Sequence, residues 1–133
     1  MPLNTALGDF IMETVMEEIK RAIFDWERTG EVTLETADFL MENFEIFTEE
    51  RFDQISKLTA NEEVEKAYST LIGTTNFINA AASKVPGLIK KLQSVIKKYQ
   101  GHLHKLAKKL GANSLSISVG FPSGVTVTLS WDV

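Results

Sequence analysis

Apolar residues recur along the first 110 or so positions at three- and four-residue intervals, and from Ser114 onward at every second position. The first spacing places side chains on one face of a helix, the second on one face of a strand. A first helix is expected from about Thr5 to Thr29, with Leu7, Ile11, Val15, Ile19, Ala22, Ile23 and Trp26 as its stripe, Asn4 or Thr5 as its cap and Gly30 as the glycine that ends it. A second helical region begins after Thr33 and carries Leu34, Ala37, Leu40, Met41, Phe44, Phe47, Phe52, Ile55 and Leu58. Thr48-Glu49-Glu50 also reads as a fresh helix start with acids in the first turn, so the sequence leaves open whether 34–58 is one helix or two.

Thr59-Ala60-Asn61-Glu62 has capping-box spacing and introduces a third helix with Val64, Ala67, Tyr68, Leu71, Ile72, Thr75, Ile78 and Ala82 on its apolar face. Gly73, Ala80, Ala81, Ala82 and Ser83 are small enough to admit a close helical neighbour. A break falls at Ser83 to Gly87. Pro86 suits the first turn of a fourth helix that runs to Leu110 and ends at Gly111. In that helix Ile89, Ile96, Leu103 and Leu110 share one heptad position and Leu92, Tyr99 and Leu106 another, with Leu88 and Val95 widening the stripe to bundle width.

In the tail, Leu115, Ile117, Val119 and Phe121 alternate with small polar residues; after Pro122-Ser123-Gly124, so do Val125, Val127, Leu129, Trp131 and Val133. Alternation on both sides of a Pro/Gly turn predicts a β-hairpin. The expected class is therefore α+β, mostly helical: one domain, with a four- or five-helix bundle over 1–111 packed on the apolar face of a hairpin over 112–133. A lone hairpin is marginal in water, so its apolar face needs that cover. Its other face is lined by Ser114, Ser116, Ser118, Thr126, Thr128 and Ser130, and its edges lack blocking charges. An edge of that kind admits another strand, from a second copy or a partner.

Charge sharpens this picture. Met1 to Lys66 holds 17 acids and 6 bases, net −11; Ala67 to Val133 holds 1 acid and 8 bases, net +7, giving −4 for the chain. Lys90, Lys91, Lys97, Lys98, Lys105, Lys108 and Lys109 form a basic stripe opposite the apolar face of the fourth helix. The stripe is read as a solvated face, as a dock for an acidic protein surface (including that of another copy), or as a contact for anionic lipid or nucleic acid. Nucleic acid is disfavoured because the stripe contains no Arg and no interleaved aromatic for base reading. A membrane surface is disfavoured because the core claims the helix's apolar side.

Catalytic chemistry finds little support. With no Cys there is no disulfide, thiolate nucleophile or Cys-held metal. His102 and His104, two residues apart on a helix, point roughly 200° from one another and cannot share an ion. No Glu is followed three residues later by His, which argues against a di-iron bundle. Phosphate-cradling glycine loops and nucleophile elbows are absent from the sequence. No cofactor, metal or enzymatic activity is expected. No secretory leader is evident and no window approaches the roughly 18 apolar residues of a membrane span, so a cytoplasmic protein is expected. The leading functional reading is a protein-interaction or assembly module, self-associating through the hairpin edge or through charge-complementary helix faces. A basic-surface binder of lipid or nucleic acid is the alternative, and an enzyme with an unrecognised site is the third reading.

Overall fold

A computed structural model describes residues 2–111, 114–120 and 127–132. The acidic first half folds into three helices, α1 (Pro2–Thr29), α2 (Leu34–Glu42) and α3 (Phe44–Ala60). Three more follow: α4 (Val64–Ala82), α5 (Gly87–Lys98) and α6 (Gln100–Lys109). α1 starts at Pro2, ahead of the expected Thr5, and buries Val15, Met16 and Ile19 at three- and four-residue spacing. Its end is the expected one: Gly30 adopts φ +78° and its N–H donates to the Trp26 carbonyl at 2.7 Å. Thr33 then caps α2, its Oγ1 accepting from the Thr36 N–H at 3.1 Å.

Residues 34–60 form two helices, and the joint is at Asn43, not at Thr48. Asn43 leaves helical geometry (φ −115°, ψ 26°) while its Nδ2 donates to the Phe39 carbonyl at 2.9 Å. The side chain and the backbone N–H of Asn43 share that carbonyl, the N–H at 3.1 Å, so the chain bends without losing that bond. Thr48 lies inside α3, buried, its hydroxyl donating to the Phe44 carbonyl at 2.8 Å.

The expected capping box is also corrected. Thr59 belongs to α3, where it is buried and its hydroxyl donates to the Ile55 carbonyl at 2.7 Å, so it is not free to cap α4. α3 instead closes with a paired turn: the Glu63 N–H donates to Leu58 O at 2.9 Å and the Glu62 N–H to Thr59 O at 3.2 Å. Glu62 sits at the left-handed position, φ +62°, usually held by glycine. Lys109 from α6 secures it, its Nζ donating to Glu62 Oε1 at 2.8 Å and to the Thr59 carbonyl at 3.1 Å.

α4 is the hub, packed against α2, α3, α5 and α6. Its Ala67, Leu71, Phe77, Ile78, Ala81 and Ala82 are buried, so Ala81 and Ala82 provide the close approach expected of small residues. Gly73 does not: it is exposed, and a Cβ there would meet nothing within 4 Å. Phe77 is the aromatic centre of the core, with Trp26 of α1 at 5.6 Å and Phe47 of α3 edge-on at 6.0 Å.

The fourth predicted helix is broken. α5 and α6 meet at Tyr99 (φ −101°, ψ 16°), although Tyr99 still donates to Val95 O and Leu103 to Tyr99 O. The apolar face carries across the bend, with Leu88, Leu92, Ile96, Leu103 and Leu106 buried. Gly111 ends α6 at φ +74°, as its position in the sequence predicts.

The α+β class is corrected to an all-helical architecture. Among the described residues six helices, not four or five, build the core. The described part of the tail is a two-stranded antiparallel backbone ladder, β1 (Ser114–Val119) with β2 (Val127–Asp132). The expected turn, and with it a closed hairpin, lies outside the described residues. Only Ile117 and Val119 of the tail join the described buried core, against α4, α5 and α6. The described core is supplied mainly by helices: all its buried apolar side chains except Val32, Ile117 and Val119 lie on α1 to α6. Among the described residues, no helix is long and apolar enough to cross a membrane.

Candidate binding groove

A groove of about 670 Å³ opens between the α2–α3 joint and α5. The turn at Asn43 sets its position, since it ends α2 at Met41 and Glu42 and starts α3 with Phe44. Met41, Phe44, Val95 and Tyr99 give it an apolar floor. Gly87, the first residue of α5, makes room at one end: a Cβ there would lie 3.1 Å from Met41 Cε. At the other end Tyr99 stacks on Phe52 with ring centroids 4.7 Å apart and planes 17° from parallel. The bend at Tyr99 thus both ends α5 and provides a wall.

The rim is charged. Glu45 and Glu49, one turn apart on α3, face Lys91 and Lys98, two turns apart on α5, and Lys90 adds a third cation. Lys91 Nζ lies 3.7 Å from Glu45 Oε1 and Lys98 Nζ 3.9 Å from Glu49 Oε1. Both separations exceed a good hydrogen bond, and Glu45, Glu49 and Lys98 are largely exposed, so these pairs hold the rim weakly. The same lysines lie near aromatic rings, Lys91 at 5.7 Å from Phe44 and Lys98 at 5.5 Å from Tyr99.

The seven stripe lysines therefore do not form one uniform surface. Lys91 and Lys98 turn to α3, Lys109 is committed to the end of that helix, and Lys90, Lys97, Lys105 and Lys108 are exposed with no carboxylate within 4.0 Å among the described residues. Of the hydroxyl-bearing candidates, Ser114, Ser116 and Ser118 lie on β1, opposite Asp132, Ser130 and Thr128 of β2 respectively; Thr126 lies outside the described residues. His102 and His104 are exposed, and among the described residues no three His, Cys, Asp or Glu side chains could hold a metal ion.

Sequence reasoning named Lys90, Lys91 and Lys98 but missed the groove. Met41 and Phe44 read as part of the apolar face of the second helical region, and nothing in the spacing set Glu45 and Glu49 apart. The available signal was Gly87 directly after Pro86, a bare position opening a helix. No protein-family model, no curated protein and no solved structure matches the chain.

Proposed function

We propose that the chain is a protein-interaction module that receives one amphipathic helix of a partner in the groove between α3 and α5. The observation that carries this reading is the apolar floor of Met41, Phe44, Val95 and Tyr99 beneath a rim of three lysines and two glutamates. α5 has 12 residues, about 18 Å at 1.5 Å per residue, which matches three turns of a docked helix. An apolar floor supplies affinity to such a ligand, and a rim of both signs supplies register. The mixed rim also favours a helix over an anionic bilayer, because Glu45 and Glu49 repel lipid phosphates that the lysines attract. Assembly through a strand edge forms no part of this proposal.

The test is amide-resonance mapping with a panel of short amphipathic helical peptides whose flanks are acidic, neutral or basic. Acidic-flanked members are expected to shift Phe44, Val95 and Tyr99, and Lys90→Glu/Lys98→Glu, at two exposed rim positions, is expected to remove those shifts while leaving the helical circular dichroism intact. A panel with no member that perturbs the groove overturns the proposal.

A further inference from the structure

We infer that the groove's occupant is a second copy of this chain, seated through an outward stripe of its α1; this rests on the groove being a helix receptor. The stripe is Glu13, Glu17, Lys20, Phe24 and Glu27, spaced four, three, four and three residues apart and all exposed. Phe24 is the most exposed of the described large apolar residues, at 64%. A single exposed apolar side chain is ordinary on a protein surface. What sets Phe24 apart is its setting. On the neighbouring line of the same helix the charges neutralise one another, Arg21 with Glu18 and Arg28 with Asp25, each at 3.4 Å. On the Phe24 stripe Glu13, Glu17, Lys20 and Glu27 have no ion-pair partner within 4.0 Å among the described residues, which leaves three acids against one base around an aromatic anchor.

The groove presents the inverse. Its floor is apolar; Lys90 on its rim, and Lys97 two turns further along α5 and outside the lining, are exposed and lack a carboxylate partner among the described residues, while Glu45 and Glu49 on the rim carry the opposite sign. Lys90 and Lys97 are seven residues apart, about 10.5 Å along α5, and Glu17 and Glu27 flank Phe24 over about 15 Å of α1. Phe24 therefore fits the floor by Met41, Phe44 and Val95, with Glu17 and Glu27 toward the lysines and Lys20 toward Glu45 or Glu49. Each copy carries one stripe and one groove, so reciprocal seating closes a pair with two identical contacts. The net charges of the two halves, −11 and +7, have the signs that draw such an encounter together.

Sedimentation equilibrium of the full chain tests this with two charge-reversed variants, Glu17→Lys/Glu27→Lys and Lys90→Glu/Lys97→Glu, and with Phe24→Asp. All five positions are exposed, and unchanged circular dichroism establishes folding. The unaltered chain is expected to dimerise, and Phe24→Asp to weaken the dimer about tenfold or more. Each charge-reversed variant alone is expected to be monomeric. Mixed one to one they are expected to associate, because the reversed α1 stripe of one meets the reversed groove of the other in one contact and the unaltered stripe meets the unaltered groove in the second. A monomer at millimolar concentration, or a dimer indifferent to these substitutions, overturns the second-copy occupant. If the peptide panel still binds, only the occupant has failed; if it does not, the groove reading has failed too.

Discussion

α3 presents two sides of opposite character. Toward α1 and α4 it packs closely, with Phe47 edge-on to Phe77 and the buried Thr59 hydroxyl satisfied on its own backbone. Toward α5 the same helix stands off, and the space between holds a groove of about 670 Å³ with weakly paired charges at its rim. The first side uses aromatic rings and ring-sized complementarity; the second uses long charged chains that span the gap. Stability and recognition thus lie on two sides of one element, and the packed side fixes the geometry of the open one.

The largest expected effect lies on the packed side. Phe77→Ala removes a fully buried ring that touches both Trp26 and Phe47, and it is expected to cost about 3–5 kcal/mol, read as a lower urea midpoint. A loss under about 1 kcal/mol would dissolve the comparison. Next comes the end of α3. Lys109→Met removes the bonds to Thr59 O and Glu62 Oε1, and about 1 kcal/mol of stability should go with them, since the side chain is partly exposed. At the groove, Met41→Ala trims a half-buried wall and should cost about 1 kcal/mol or less; a loss equal to that of Phe77→Ala would mean the groove is structural. The smallest effect belongs to the rim. Glu49→Gln should change stability by about 0.2–0.5 kcal/mol, a difference that fades in high salt.

Helix content and helix ends were legible in the sequence where local chemistry decides them. Gly30 and Gly111 could be placed because a left-handed residue after a helix favours glycine, and Thr33 because a free hydroxyl caps the next turn. The joints were not legible. At Tyr99 the heptad pattern runs on through the bend, so periodicity carries no mark of it. At Asn43 the bend carries a side-chain hydrogen bond to Phe39 O that the spacing of apolar residues does not encode. Thr59 misled for the reverse reason: its spacing suits a cap, but burial gives its hydroxyl to Ile55. The alternation after Ser114 suggested a layer closing the bundle, whereas the described core comes mainly from helices, with Ile117 and Val119 of β1 added to it. The lysine stripe was visible as charge. Its division between rim, clasp and solvent depends on where α3 lies, and that is a tertiary fact.

The bond from Lys109 to Thr59 joins residues 50 positions apart in the chain. Tying those ends together closes a loop that contains all of α4 and α5, and the entropic cost of that closure falls once the intervening helices have docked. The contact is therefore expected to form late in folding, which the folding and unfolding rates of Lys109→Met check. Interactions made after the rate-limiting step act on the return journey. They slow unfolding and leave the folding rate almost untouched. The lysine at the end of α6 is thus a latch on the lifetime of the native state, and its loss should shorten that lifetime far more than it delays refolding.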